Sequence, residues 1–187
     1  MIIGLCGIKG SGKSVVANYI AENYGFKRIN FKDELIDHIK LRFPNLLREL
    51  EYIYEMSEDE LFDKKPSAMR ALMVNVGTDD RRKDDDNHWV RAWAKTIAQE
   101  ADTQDRDIRT LNIVTDDVRF QNEFDAIKLL GGIIIRVRRS DITDGGSHPS
   151  ETEQFNFKED FTIEAEFGGH EAVYAQIRQI MDTINKD

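Results

Sequence analysis

Residues 7–14 constrain this chain more than any other segment, because they fix both a local structure and a class of ligand. They read Gly-Ile-Lys-Gly-Ser-Gly-Lys-Ser and fit the pattern G-x-x-x-x-G-K-[ST] at every fixed position. An apolar run, Ile2–Cys6, precedes them and predicts a buried strand, and apolar residues at helical spacing follow over residues 15–24. A glycine-rich loop between a strand and a helix directs backbone N–H groups toward phosphate oxygens. The sequence therefore predicts a nucleoside triphosphate site.

The individual positions of this phosphate loop have separate predicted tasks. Lys13 is expected to reach the β- and γ-phosphates, and the Ser14 hydroxyl is expected to bind the Mg²⁺ that accompanies the nucleotide. A glycine-rich turn that only caps a helix is the alternative, which the agreement of motif and context disfavours. The predicted ATP-binding residues are Gly7, Gly10, Ser11, Gly12, Lys13 and Ser14.

A nucleotide-bound Mg²⁺ also needs a carboxylate at the end of a neighbouring strand. Residues 111–115 form an apolar, β-branched run that predicts such a strand, and Asp116 and Asp117 follow it directly. Periodicity does not choose between the two aspartates. An acidic pair at a strand end can also be an ordinary helix cap.

Strands and helices alternate along the chain, which predicts an α/β fold with a parallel sheet and helices on both faces. The predicted strands are residues 2–6, 26–31, 111–115, 132–137 and 161–167, and the last helix is 170–184. No repeat or low-complexity linker divides residues 1–187, so we expect a single domain. Residues from about 45 to 107 read as helices without a convincing strand, which predicts a helical insertion. The polar, glycine-containing segment 141–156 predicts a mobile loop.

The charge balance excludes some partners. The 187 residues include 26 Lys and Arg against 35 Asp and Glu, a formal net charge of −9, whereas nucleic acid polymers and anionic membranes attract a basic face. No apolar run approaches the ~20 residues needed to cross a bilayer, and the first residues lack signal-peptide features. The single cysteine, Cys6, cannot form an intramolecular disulfide. We expect a cytoplasmic protein.

Four further segments occur in an order that resembles phage-type deoxynucleoside monophosphate kinases, and the resemblance covers nearly the whole chain. It implies a P-loop kinase fold with a five-stranded parallel sheet flanked by helices, a helical acceptor-binding insertion and a lid at about 141–156. It also implies ATP-dependent phosphorylation of deoxynucleoside monophosphates with Mg²⁺ as cofactor, and it fits a phage origin. The segments are Phe31-Lys32-Asp33, Gly77-Thr78-Asp79 with Arg81-Arg82 and Trp89-Val90, Asp117-Val118-Arg119-Phe120-Gln121-Asn122-Glu123, and Ser147-His148-Pro149-Ser150-Glu151.

The resemblance assigns roles to individual residues. It selects Asp117 over Asp116 as the metal-side carboxylate beside Ser14, acting directly or through a water. It implies that Arg119 faces the acceptor phosphate, and we expect Lys13, Arg119 and Arg138 to be the catalytic cations. The family usually has asparagine where this chain has Ala165, so that position receives no role. The predicted acceptor-binding residues are Phe31, Asp33, Arg82, Trp89, Arg119 and Glu151.

The chemistry of such a reaction explains the demand for cations. A phosphate monoester is mostly dianionic at neutral pH because its second pKa is about 6, so the acceptor needs no general base. Catalysis then depends on positioning and on neutralising the transferring group. If the fourth strand continues to residue 138, Arg136 and Arg138 lie on one side of it and Arg139 on the other, and at least one of them is expected to serve the lid. Trp89 and Trp93, four residues apart on a helix, favour core packing over base stacking.

Two other functions remain open from the residues alone. One is another small-acceptor P-loop kinase, similar to dephospho-coenzyme A kinase. The other is a nucleotide-dependent switch that transfers its γ-phosphoryl group to water. The accepted bases, the treatment of the 2′-hydroxyl and the oligomeric state, a homodimer included, are not fixed by spacing.

Overall fold

The computed structural model describes residues 1–142 and 152–185, except for the side chains of residues 78–81. The chain divides into two compact units, which we call the sheet unit and the helical unit. The sheet unit comprises Met1–Asn30 and Thr96–Asp187, and the helical unit comprises Phe31–Lys95. Within the part of the chain that the structure describes, no helix is long and apolar enough to span a membrane.

The sheet unit is built on one parallel sheet. Its strand order is β2-β3-β1-β4-β5, so β1 lies at the centre and pairs with β3 on one side and β4 on the other. Parallel strands end at the same edge of a sheet, and the residues that follow them therefore meet there. The strands are β1 (Ile2–Cys6), β2 (Lys27–Arg28), β3 (Ile113–Thr115), β4 (Ile133–Arg139) and β5 (Phe161–Ala165).

Helices cover the sheet and make up the helical unit. In chain order they are α1 (Lys13–Tyr24), α2 (Asp33–Arg42), α3 (Pro44–Tyr54), α4 (Glu58–Lys64), α5 (Ser67–Val74), α6 (Arg81–Asp84), α7 (His88–Thr103), α8 (Gln121–Leu129) and α9 (His170–Ile184). A π-helical turn, Asn75–Asp80, links α5 to α6. Short 3₁₀ turns occupy Ile108–Thr110 and Glu153–Asn156.

Each unit has its own apolar core. The core of the sheet unit joins strand side chains such as Leu5 and Ile135 to Val16 of α1 and Ile177 of α9. Helix α9 buries Val173, Ile177, Ile180 and Met181, which are members of the inward face that its periodicity predicts. The core of the helical unit collects buried side chains from α2 to α7, namely Leu35, Ile39, Leu47, Leu50, Leu61, Phe62, Met69, Val76 and Trp89.

This architecture confirms the predicted fold class, a P-loop kinase fold with a five-stranded parallel sheet between helices. Two local details differ from the sequence prediction. Only Lys27–Arg28 of the predicted strand 26–31 forms a regular ladder with β3, although the backbone N–H of Ile29 still donates to the carbonyl oxygen of Val114. The charge of the acidic residues 55–63 favours a solvated run, but the stretch contains most of helix α4, which begins with a capping box between Ser57 and Glu60. Most of the predicted lid lies outside the described residues.

Candidate active site

The phosphate loop follows β1 directly, and its first residue, Gly7, has no room for a side chain unless the neighbouring backbone shifts. Gly7 has a φ of 142°, and a Cβ atom there would lie 2.3 Å from the carbonyl oxygen of Val137 on β4. Gly12 caps α1 with a φ of 99°, in the left-handed region that side chains disfavour. The glycines of the motif therefore provide the turn geometry, and they bring the loop to the N-terminus of α1.

Lys13 lies at the first position of α1 and reaches back across the loop. Its Nζ donates to the carbonyl oxygen of Gly7 at 2.5 Å and to that of Ile8 at 2.9 Å. The side chain is half-buried. These contacts hold the ammonium group next to the loop, whose backbone N–H groups are predicted to bind the phosphates.

Ser14 and Asp116 meet at the carboxyl edge of the sheet. The Ser14 hydroxyl donates to Asp116 Oδ2 at 3.0 Å, and Arg28 Nη2 donates to the same oxygen at 2.7 Å. The backbone N–H of Asp116 donates to the Asn30 side chain at 2.8 Å, which fixes the start of the segment after β3. The Asp116 side chain is only 2% exposed and that of Arg28 is 34% exposed, so the guanidinium compensates a buried carboxylate.

Asp117, which the resemblance selects as the metal-side carboxylate, is the next residue and is also buried. The ranking of Asp117 over Asp116 stays a prediction. The structure nevertheless gives Asp116 the property that a metal-side carboxylate needs, since its oxygen lies at hydrogen-bond distance from the hydroxyl of Ser14. Oxygen ligands of this kind suit Mg²⁺.

The side chain of Glu123 fixes the backbone at Arg119. The N–H of Arg119 and that of Phe120 both donate to Glu123 Oε2, at 2.8 and 3.1 Å, and the Glu123 side chain is buried. The carboxylate thus caps the N-terminus of α8 and fixes the chain direction at Arg119. Glu123 belongs to the segment 117–123 that carries the family resemblance, but the sequence assigns no role to it.

The three arginines near the end of β4 have different partners. Glu159 Oε1 accepts from Arg136 Nε at 3.0 Å and from Arg138 Nη2 at 2.8 Å, which confirms that these two side chains share one face of the strand. Arg139 donates to the carbonyl oxygen of Gly10 at 3.0 Å and pairs with Asp141.

The electrostatics of Glu159 follow from these partners. Burial alone would raise the pKa of Glu159. Hydrogen bonds from its own backbone and from Arg136, with the charges of Arg136 and Arg138, outweigh burial and lower the pKa below its ordinary value. A cavity of about 500 Å³ opens between these arginines and the phosphate loop, and its lining includes Gly7, Arg138 and Phe155.

The predicted acceptor residues of the helical unit have these positions. Phe31 is 3% exposed and its ring lies 4.7 Å from that of Trp93. Trp89 belongs to the apolar core and its Nε1 donates to the carbonyl oxygen of Gly77 at 2.8 Å, which confirms the packing that its spacing favours. Arg82 donates to the carbonyl oxygen of Asp86, and Asp33 begins α2.

The structure does not test two of the predictions about the acceptor site. Glu151 lies outside the described residues. Arg82 belongs to the helical unit and Arg119 to the sheet unit, so their convergence on one phosphate stays a prediction.

Comparison with known proteins identifies the family of this chain. No protein-family model matches the chain. A protein of Acanthamoeba polyphaga mimivirus, provisionally named deoxynucleotide monophosphate kinase, is 34% identical over 196 aligned residues, which cover 100% of this chain and 98% of the relative. The chain belongs to the deoxynucleotide monophosphate kinase family. Membership makes it a P-loop phosphotransferase, as the motif and the resemblance predicted.

The structure of TT1252 supports the fold of this kinase family member. TT1252 from Thermus thermophilus aligns with 98% of this chain and 96% of its own, at 17% identity and a TM-score of 0.53. Shikimate kinase from Aquifex aeolicus vf5 aligns with 99% of this chain and 98% of its own, at 15% identity and a TM-score of 0.45.

Several residues of this kinase family member contact the site without any signal in the sequence. Arg28 was one charged residue in a predicted strand, and Glu159 was one acidic residue in a polar segment. Gln154 accepts the N–H of Gly7 from a position 147 residues away in the chain. Periodicity and motif spacing describe local structure, so long-range partners of this kind give no local pattern.

Proposed function

We propose that this protein transfers the γ-phosphoryl group of ATP to deoxynucleoside monophosphates and forms the diphosphates. One observation carries the proposal. The phosphate loop of residues 7–14 meets a buried carboxylate through the Ser14–Asp116 contact, in a chain that aligns along its whole length with a deoxynucleotide monophosphate kinase. Loop and carboxylate are the two elements that P-loop enzymes use to hold a nucleotide with its metal.

The donor side of the proposed reaction uses the phosphate loop and Lys13. The loop backbone would cradle the donor phosphates, and the ammonium group of Lys13 would move from the Gly7 and Ile8 carbonyls to the β- and γ-phosphates. Ser14 and Asp116 would hold Mg²⁺, and their oxygens fit this hard cation. When bound, the metal would supply positive charge at the phosphates.

The acceptor side of the proposal rests on Arg119 with Arg82. The buried Glu123 fixes the backbone at Arg119, so the guanidinium extends from a rigid point next to the carboxyl edge of the sheet. A guanidinium can bind two oxygens of one phosphate through its planar fork. Phe31 and Asp33 are the proposed acceptor-pocket residues of the helical unit, on the strength of the family resemblance.

The proposed step is an in-line displacement. An oxygen of the acceptor phosphate attacks the γ-phosphorus, a new P–O bond forms, and the bond to the leaving ADP breaks. The attacking oxygen is already deprotonated near pH 7, so no side chain has to accept a proton. Lys13, Arg119 and Arg138 would neutralise the charge on the transferring group.

The acceptor dependence of ATP consumption tests the proposal. A coupled assay would measure ADP formation with each deoxynucleoside monophosphate, each ribonucleoside monophosphate, dephospho-coenzyme A and no acceptor, and Lys13→Ala would serve as the inactive control. We expect at least one deoxynucleoside monophosphate to raise the rate strongly above the rate without acceptor. A response to dephospho-coenzyme A alone would indicate a different small-acceptor kinase. An acceptor-independent rate would indicate a switch or NTPase.

A further inference from the structure

We propose that Gln154 is a positioning residue for the phosphate loop, and that the 3₁₀ turn Glu153–Asn156 links the loop to the segment that carries Arg119. The proposal rests on the proposed function only in requiring that ATP binds at residues 7–14. It goes beyond that function because neither the motif nor the family resemblance assigns a role to this turn.

The first observation is the bond between Gln154 and the loop. Gln154 is 1% exposed, and its side-chain Oε1 accepts the backbone N–H of Gly7 at 2.7 Å. A polar side chain this deeply buried is stabilised only where it is hydrogen-bonded. The partner is the first residue of the phosphate loop.

The second observation is that Gly7 is hydrogen-bonded both to Gln154 and to Lys13. Val137, a neighbour of Gly7, leaves no space for a shift toward β4, since a Cβ atom on Gly7 would lie 2.3 Å from the Val137 carbonyl oxygen. The N–H of Gly7 is bound to Gln154, while the Gly7 carbonyl oxygen accepts from Lys13 Nζ at 2.5 Å. The orientation of this peptide segment therefore affects both the start of the loop and the resting position of its lysine.

The third observation is what holds Gln154 in place. Arg136 is 6% exposed, and its Nη2 donates to the backbone carbonyl oxygens of Gln154 at 2.8 Å and Phe157 at 3.2 Å. Its Nε pairs with Glu159, so the buried guanidinium is both hydrogen-bonded and neutralised. Arg136 therefore supports the turn from β4, and of the three arginines it is the one built into the interior.

The same turn also contacts the start of α8. Glu153 Oε2 accepts the backbone N–H of Gln121 at 3.3 Å, two residues after Arg119. The rings of Phe157 and Phe124 lie 5.1 Å apart and join the end of the turn to α8. One short segment thus contacts the phosphate loop on the proposed donor side and the Arg119 segment on the proposed acceptor side.

Gln154→Met tests the link, because methionine retains the length of the side chain and removes the acceptor. Gln176→Met is the matched control, since Gln176 Oε1 likewise accepts a backbone N–H, that of Glu164, at 2.9 Å. Calorimetric titration of ATP with Mg²⁺ would give the Kd of each variant without any acceptor turnover. We expect Gln154→Met to raise the Kd about 5- to 30-fold, the equivalent of one buried hydrogen bond, and Gln176→Met to leave it unchanged.

A kinetic measurement separates positioning from general damage. Gln154→Met should raise the KM for ATP and leave the KM for the acceptor within about twofold. If Gln154→Met does not fold, as judged by circular dichroism, Gln154→Asn replaces it, because its amide is one methylene too short to reach Gly7. A Kd equal to that of wild type, or equal losses for both substrates, would overturn the proposal. Failure of every acceptor in the coupled assay, with the Kd shift intact, would instead refute the proposed function.

Discussion

Replacing Asp116 by asparagine removes the charge of a deeply buried carboxylate beside the phosphate loop and keeps the shape of the side chain. The oxygen Oδ2 of Asp116 accepts from the Ser14 hydroxyl at 3.0 Å and from Arg28 at 2.7 Å. An asparagine can still accept one of these bonds through its carbonyl oxygen, but it cannot pair with the guanidinium as an ion. The variant therefore perturbs both folding stability and the proposed metal site.

The stability effect can be worked from the exposure of the pair. A hydrogen bond to a charged group contributes about 1.5–3 kcal/mol. The Arg28 side chain is 34% exposed, so solvent screening reduces the loss of free energy of unfolding to about 1–2 kcal/mol. With a urea dependence of about 2 kcal/mol per molar, the midpoint of urea unfolding should fall by about 0.5–1 M.

The metal effect is separated from the stability effect by two matched variants. Arg28→Met removes the same ion pair and keeps the carboxylate, so it should lower the urea midpoint without raising the Mg²⁺ requirement. Asp117→Asn removes the neighbouring charge. In kinase assays over a range of free Mg²⁺, Asp116→Asn should need at least about tenfold more metal for half-maximal rate, since even indirect partners of a metal site contribute that much. If Asp117→Asn alone shows this shift, Asp116 has a structural role and the resemblance selects the correct aspartate.

Further variants test the other proposed groups. Lys13→Ala should lower turnover on the order of 100-fold or more at unchanged far-ultraviolet circular dichroism, because its charge acts on the transferring phosphate; near-normal turnover would contradict the phosphate-loop assignment. Arg119→Ala and Arg82→Ala should each lower kcat/KM for the acceptor about 10- to 150-fold with little change for ATP, and a defect confined to ATP in steady-state kinetics would move both arginines to the donor side. Burial raises the pKa of the Cys6 thiol from 9.0 to about 11, with the Arg136 charge offsetting part of the effect, so Ellman's reagent at pH 8 should modify Cys6 only in the unfolded protein. Because the folded pKa is the higher one, the free energy of unfolding should fall between about pH 9 and pH 11 relative to Cys6→Ala, and equal profiles for the two proteins would show that the thiol is not buried.

Local signals explain which elements the sequence predicts well. The apolar spacing of Leu35, Ile36 and Ile39 predicts a helix that stops before Pro44, and α2 (Asp33–Arg42) does so. Proline cannot continue a helix but suits the first position of the next one. Helix α4 is hard to predict from periodicity, since its composition is acidic and it buries only Leu61 and Phe62, but the Ser57-x-x-Glu60 capping box marks where it begins. For this helix, the capping box is a better predictor than the charge of the segment.

The candidate site likewise has a part that local sequence signals predict and a part that they do not. The phosphate loop is predictable because its function requires glycines, a lysine and a serine at fixed local spacing. The partners of the loop come from elsewhere in the chain, since Arg28 is 88 residues from Asp116 and Gln154 is 147 residues from Gly7. Such contacts depend on the strand order of the sheet, and two residues that the topology brings together share no periodicity that a single sequence reveals.

The placement of Trp89, Trp93 and Cys6 gives each unit an intrinsic probe. Both tryptophans of the chain lie in the helical unit, Phe31–Lys95. The single cysteine of the chain lies in β1, the central strand of the sheet unit. Tryptophan fluorescence therefore reports the packing of the helical unit, and thiol accessibility reports the sheet unit, in the unlabelled wild-type protein. Coincident denaturation curves from the two probes would characterise one cooperative transition, and separate curves would give each unit its own free energy of unfolding.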